Sequence, residues 1–375
     1  LLADTPYKNE SGGDPAAIPT LSQERFLDFH RKYYHPSNSY IYLYGDLDMY
    51  KELDYIDKEY LSSFDYREID STIAVQTAYE QMKDESCFYS IAENESEENQ
   101  TFFTYNMVVG SSLDKKQSVA MNILEYAIMD APGAPLKKAL VDAGIGEDVF
   151  ASFDDGIRQT IFSIVARNAN MSDKERFVSV IRDTLTDLSG HGEEGKAINR
   201  TINNFEFKHK EANFGRFPKG LMMGLDAFNT WLYDDASALE MFKLNEVYDE
   251  LKESLKTGYF EELIWEKLVQ NTFGMIFVMK PKKGLDKEND AAEKQKLADY
   301  KASLTENELE QVVSDTKELK LYQETPSPAE DMEKVSLLSI SDIRKEIHPL
   351  KNREDSIYGM PLISHDIFTN GIGYL

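Results

Sequence analysis

Apolar positions along the first sixty residues recur at helical and then at alternating spacing. After the Gly/Pro-rich stretch NESGGDPAAIP (Asn9–Pro19), which reads as a connector, Phe26, Leu27, Phe29, His30, Tyr33 and Tyr34 form a broad aromatic face on a short helix. Thr20 and Gln23 have the T-x-x-Q spacing of a capping box at its start, and Pro36 ends it. Ser39 to Tyr44 is rich in Tyr and Ile and predicts a strand stopping at Gly45. Tyr50, Leu53, Ile56 and Tyr60 then return to helical spacing.

Residues 64–100 are polar and acidic, with a strand predicted at Phe88–Glu93 and a solvated turn at ENESEENQ. TFFTYNMVVG (Thr101–Gly110) is a stronger strand. A helix from Lys115 to about Met129 follows, then a break at APGAP and a short helix, LKKALVDA, closed by Gly144. Two more strands are predicted at Asp148–Phe153 and Gln159–Val165. Ser172 and Glu175 are spaced to cap a helix reaching Leu188. Residues 195–270 read as mainly helical, with breaks near Gly215–Pro218 and Tyr233–Ala236, and TFGMIFVMKP (Thr272–Pro281) as a strand returning to the sheet. The pattern lacks the strict β-α alternation of a doubly wound parallel sheet. It predicts an α+β fold with a largely antiparallel sheet and helices packed on it.

From Asp286 the chain changes character. Leu297, Tyr300 and Leu304 share a helical face, Thr305 and Glu308 form a new capping box, and Leu309, Val312, Val313, Thr316 and Leu319 continue. Two helices joined by so short a turn predict a long helical hairpin, broken by ETPSPAED. At 375 residues the chain is long for one core. The expected organisation is a connector from a preceding domain at 1–19, an α+β domain at 20–281, a helical-hairpin linker at 282–350 and the start of a further domain at 351–375. The start Leu1-Leu2-Ala3 and the strand-like TNGIGYL end suggest a fragment of a longer protein.

Hydrophobic residues at 41% can build real cores, and a net charge of −26 argues against a nucleic-acid or anionic-membrane partner, since both need positive surface. It is compatible with basic peptides. One cysteine, Cys87, rules out an internal disulfide and a Cys-based zinc site, and is read as a small apolar residue.

Candidate chemistry is sparse. His30 and His35 stand five apart, about 140° around a helix, whereas a helical zinc pair needs i,i+4 spacing. Packing and turn closure are favoured for them over a metal site, with Asp46 and Asp48 just beyond. His191 in HGEEG has the setting of a helix cap, and His209, His348 and His365 are isolated. The Gly144–Gly146 pair is better read as a helix C-cap than as a phosphate loop. Paired acids such as Asp154–Asp155, Glu193–Glu194 and Glu261–Glu262 are expected by chance at this acid content. The Met-Met and Trp231 region, GLMMGLDAFNTWLYD, is read as core. No G-x-S-x-G occurs, and no complete active site is present by motif.

The stretch SGGDPAAIPTLSQERFLDFHRKYYHPSNSYIYLYGDLD resembles the pitrilysin/insulinase-type zinc metallopeptidases, specifically their presequence-protease branch. APLKKALVDAGIGEDV resembles a second family segment, with Ala134 where Ser is usual. INNFEFKHKEANFGRFPKGL with TWLYD resembles a third, with Lys210 in an Arg place, and SLLSISDI followed by TNGIGYL resembles the join into the next domain. The resemblance implies a metallopeptidase-family roll followed by the hairpin that joins two halves of a clamshell. It places the zinc-binding H-x-x-E-H helix before Leu1 and an Arg/Tyr pair after Leu375. It therefore implies no catalytic, cofactor-binding or metal residue in this segment, with zinc held elsewhere in the parent. The expected function is a non-catalytic wall-and-hinge segment of a zinc metalloendopeptidase that degrades unfolded, presequence-like peptides in a closed chamber. The expected partners are the remaining parent domains and basic peptides, in a bacterial cytoplasm or an organellar matrix. The alternatives are a segment of a catalytically degenerate homologue serving as a scaffold, and a standalone peptide-binding module.

Overall fold

The structure is a computed structural model that describes residues 1–190, 195–343, 345–346 and 352–365. The chain forms two units, Leu1–Lys282 and Lys283–Leu375. The first contains, in order, α1 (Gln23–Tyr33), α2 (Met49–Glu59), β1 (Lys83–Ile91), β2 (Thr101–Ser111), α3 (Lys115–Glu125), α4 (Pro135–Asp142), β3 (Asp148–Asp154) and β4 (Gln159–Ala169). It continues through α5 (Lys174–Gly190), α6 (Gly195–Glu211), α7 (Lys219–Trp231), α8 (Leu244–Ser254), α9 (Tyr259–Ile264) and β5 (Gly274–Lys283). This is the α+β architecture that the pattern predicts.

The five strands are ordered β1-β5-β2-β4-β3. The pairs β2–β4, β2–β5 and β3–β4 are antiparallel. Strand β2 lies at the centre because its alternation supplies both faces. Phe103, Tyr105, Met107 and Val109 enter the core, where Phe162, Ile164, Ile276 and Val278 of the neighbouring strands meet them. The intervening positions are polar and half-buried. Asn106 Nδ2 donates to Thr104 Oγ1 at 2.7 Å, and Ser163 Oγ donates to Asn106 Oδ1 at 2.9 Å, a short cross-strand network on the opposite face. One face of the sheet is thus packed and the other polar, as an antiparallel sheet allows.

Helices cover the apolar face. Phe177, Ile181, Leu185 and Leu188 form one stripe of α5, and the Phe177 ring stacks on Phe103 of β2 with centroids 5.5 Å apart. At the end of α3 the chain widens into a π turn over Tyr126–Asp130, closed by the Ala131 N–H to the Tyr126 carbonyl at 2.7 Å. After α4, Gly144 (φ 64°) donates to the Val141 carbonyl at 2.9 Å and Ile145 to the Leu140 carbonyl at 3.2 Å, the paired bonds of a Schellman cap. The C-cap reading of this glycine pair holds, and Gly146 (φ 66°) then passes so close to β4 that a Cβ would meet the Arg167 carbonyl oxygen at 2.5 Å.

Several boundaries differ from expectation. Ser22, not Thr20, caps α1, accepting from the Arg25 N–H at 3.2 Å, because Thr20 closes a preceding 3-10 turn at Ile18–Thr20. Helix α5 opens after a 3-10 turn at Met171–Asp173, where Asp173 accepts from the Asn170 N–H at 3.2 Å; Ser172 and Glu175 do not form the box. Strand β1 begins earlier than the predicted Phe88. Ser39–Tyr44 is extended but pairs with no strand among the described residues. Its period-2 tyrosines lie on α7 instead. Tyr42 Oη donates to the Gly220 carbonyl at 2.8 Å, Tyr40 Oη to Asp235 Oδ1 at 2.7 Å, and the Tyr40 and Trp231 rings are 4.7 Å apart. The glycines make room for this: a Cβ on Gly220 would lie 1.8 Å from the Tyr44 ring, and one on Gly224 2.5 Å from Tyr42.

The second unit contains α10 (Leu285–Ser303), α11 (Glu306–Glu324), the short α12 (Ala329–Met332) and a hairpin of β6 (Asn352–Ile357) and β7 (Met360–His365). The Thr305–Glu308 capping box forms as predicted, with the Thr305 N–H donating to Glu308 Oε2 at 2.8 Å. No residue of α10 or α11 is buried, so Leu297, Tyr300 and Leu319 present an apolar surface. Tyr358 and Gly359, both at positive φ (53° and 80°), make the two-residue turn of the hairpin. The terminal TNGIGYL lies outside the described residues.

Candidate functional site

The histidines that open the search fall into structural roles. The His30 ring stacks on Tyr34, centroids 4.7 Å apart, on the exposed side of α1. His35 Nδ1 accepts the Ser37 N–H at 3.1 Å and caps the 3-10 turn Pro36–Asn38. Asn38 then fastens the turn back, donating to the Tyr33 carbonyl at 2.9 Å. Asp48 caps α2, accepting the Lys51 N–H at 3.3 Å. His365 pairs with Asn352 across the β6–β7 hairpin, and His191, His348 and Glu193–Glu194 lie outside the described residues. The zinc that the family resemblance implies finds no ligand set here. Among the described residues no three His, Cys, Asp or Glu side chains group so as to hold a metal ion.

The chemistry that the structure does assemble is a cavity of about 450 Å³ between the N-terminus of α3 and helices α6, α7 and α8. Lys115 occupies the first position of α3, behind its N-cap Asp114. The macrodipole disfavours a cation there, so helix stability does not explain it. Burial holds its ammonium below the ordinary lysine range, opposed by the charges of Glu240, Asp155 and Asp226. Asp155, in the turn between β3 and β4, is pushed up by burial and accepts from Asn122 Nδ2 at 3.3 Å. Asp226 on α7 is likewise raised by burial and by Asp155. Burial and Lys210 lower His209, whose ring lies 5.9 Å from Tyr248. Apolar wall comes from Phe205, Phe214, Met223 and Leu244.

The cavity corrects two sequence readings. Asp154–Asp155 is not interchangeable chance acidity: Asp154 accepts the Gly156 N–H at 3.0 Å in the turn, while Asp155 enters the cavity. The Met-Met and Trp231 region is not core throughout. Its small residues Gly220, Gly224, Ala227 and Thr230 are buried, while Met223, Asp226 and Asn229 line the cavity. Sequence reasoning missed Lys115, Asp155 and Asp226. A lysine in the first turn of a helix was the one local signal.

Comparison with known proteins places the fold and its surfaces in a family. The Peptidase M16 inactive domain model matches residues 20–205, and the model of the associated region of this family's subfamily C matches residues 279–375. The chain belongs to the M16 peptidase family. Within it, the chain is 40% identical over 375 residues to Protein HypA of Clostridium perfringens, and 31% identical over 382 residues to presequence protease 1, chloroplastic/mitochondrial, of Arabidopsis thaliana. Each alignment covers 100% of this chain but only 38% and 35% of the relative, so the chain spans less than two fifths of these proteins. A crystal structure of a peptidase M16 inactive domain from Pseudomonas fluorescens superposes with a TM-score of 0.55, covering 74% of this chain and 61% of that one, at 15% identity, and so shares the fold. No helix among the described residues is long and apolar enough to cross a membrane.

Proposed function

We propose that this chain is the non-catalytic central segment of a zinc-dependent metalloendopeptidase that degrades unfolded, presequence-like peptides inside a closed chamber. The observation that carries the proposal is the inactive-domain match over residues 20–205 on a chain that aligns end to end with a presequence protease. The segment supplies wall through residues 20–281 and a helical linker through 282–350. Residues 1–19 connect from a preceding domain and 351–375 open the next. Zinc and its ligands belong to other parts of the parent, where a zinc-bound water is activated for attack on the peptide carbonyl.

Surface features support the wall reading. Phe26, Phe29 and Tyr34 around α1, and Tyr50, Leu53 and Tyr55 on α2, are exposed. The adjoining Ser39–Tyr44 backbone is extended and pairs with no strand among the described residues. A contiguous aromatic surface beside a free strand edge suits docking by another domain of the same polypeptide. The net charge of −26 favours basic peptides over nucleic acid or anionic membranes. The compartment consistent with these relatives is a bacterial cytoplasm or an organellar matrix.

The test compares the full parent polypeptide with this 375-residue chain for zinc content and cleavage of a basic presequence peptide, with and without chelator. The parent should hold zinc and cleave in a chelator-sensitive way, while the chain alone does neither. Chelator-sensitive cleavage by the chain would overturn the assignment. A parent without zinc or cleavage would transfer it to the scaffold reading.

A further inference from the structure

The cavity under α3 combines groups that a protein interior does not ordinarily leave open. Lys115, Asp155 and Asp226 line it together, yet among the described residues Lys115 makes no ion pair and Asp226 no hydrogen bond. Charges removed from water without contact partners are costly, and a site retains them when something else completes them. The polar groups at the rim are already engaged. The Lys208 ammonium lies over the Tyr126 and Phe205 rings, and Glu240 pairs with Lys243 at 2.7 Å.

A second, independent observation points the same way. Ser112 and Ser118 also line the cavity, with residue exposures of 3% and 6%, and neither hydroxyl has a hydrogen-bond partner. Buried hydroxyls are ordinarily satisfied, so two orphans at one cavity indicate a missing polar occupant. The remaining wall is aromatic and aliphatic, and a volume of about 450 Å³ suits a small molecule rather than a folded partner.

We propose that this cavity binds a small zwitterion, an α-amino acid or dipeptide with a bulky apolar side chain, whose carboxylate meets Lys115 and whose ammonium lies between Asp155 and Asp226. The side chain then rests among Phe205, Phe214 and Met223. The assignment stands on the cavity alone and does not depend on the peptidase reading.

Titration calorimetry on the full polypeptide containing this chain tests it, with L-phenylalanine as probe. Phenethylamine keeps the ring and ammonium but lacks the carboxylate, and 3-phenylpropionate has the reverse deficiency. Each should bind at least about tenfold more weakly than phenylalanine, since each leaves a buried charge uncompensated. Lys115→Gln should reduce phenylalanine to the affinity of phenethylamine, and Asp226→Asn to that of 3-phenylpropionate. The three-ligand comparison decides the matter on the unmutated protein if a variant fails to fold. Equal binding of phenethylamine and phenylalanine would make this a site for amines only and overturn the proposal. So would no phenylalanine binding at about 10 mM, or unchanged affinity in both folded variants, which would place the binding elsewhere.

Discussion

Glu125→Gln should stabilise the first unit, and increasingly so as pH rises. Glu125 ends α3, where the macrodipole disfavours an anion. Burial, reinforced by Asp130, pushes its carboxyl from the ordinary 4.5 up to about 7. The native state therefore holds a proton on Glu125 that the unfolded chain has released, and stability falls as pH rises from about 4.5 through about 7. The full penalty above that window would be about 3.4 kcal/mol. Glu125 is only half-buried, and solvent screening brings this to about 1.5 kcal/mol. Glutamine has nearly the same shape and no charge, so it escapes the penalty. Between pH 5.5 and 8 the stability gain of the variant should grow by about 1 kcal/mol. Urea unfolding followed by tryptophan fluorescence is the suitable assay, because Trp231 and Trp265 are the only tryptophans and both lie in the first unit. Work below about pH 5 is avoided, since protonation removes the −26 charge that keeps molecules apart. A gain that is constant with pH, or that shrinks as pH rises, would refute the reasoning.

Phe177→Ala should cost about 3–5 kcal/mol in the same urea assay, because the ring is fully buried and its removal leaves a cavity against Phe103. Gly146→Ala should cost about 2 kcal/mol or more, since φ is +66° and the new Cβ would press on the Arg167 carbonyl; an unchanged urea midpoint would show that β4 yields without strain. Thr305→Ala should destabilise the start of α11 by about 1 kcal/mol, read as faster amide exchange there with no change in the tryptophan-monitored transition.

The sheet was legible because its signals are redundant. Thr101–Gly110 alternates over enough residues that Phe103, Tyr105 and Met107 declare one face, and α5 repeats Phe177, Ile181, Leu185 and Leu188 at helical spacing. The Thr305–Glu308 box was legible because both partners are local. Boundaries failed where a 3-10 turn competes: it displaces the cap from Thr20 to Ser22 and delays α5 to Lys174. The charged cavity was not legible. Lys115, Asp155 and Asp226 are far apart in sequence and stand in unremarkable contexts, and only tertiary packing brings them to one wall. Ser39–Tyr44 has the alternation of a strand, but alternation reports an extended backbone, not a pairing partner.

That last distinction explains how the first unit is divided between core and surface. The main core cluster runs from Phe103 to Val278 and takes no residue from positions 20–64, although those positions are rich in Phe and Tyr. Their aromatics are held in place from one side only. Tyr40, Tyr42 and Tyr44 rest on α7 through the room left by Gly220 and Gly224. Arg67 ties the end of α1 by donating to the Arg31 carbonyl at 2.7 Å and the Lys32 carbonyl at 3.0 Å. Tyrosine suits such a surface, since an apolar ring can be buried by an incoming partner while its hydroxyl stays paired. The helix fixes the tyrosine side chains, yet the backbone of Ser39–Tyr44 keeps free the hydrogen-bonding groups through which a strand could be added. An element extended before its partner arrives has already lost much of the conformational entropy of pairing, so docking costs less. In the proposed wall segment, the His30–His35 motif belongs to this arrangement: it turns the chain from α1 into the prepared edge rather than binding a metal.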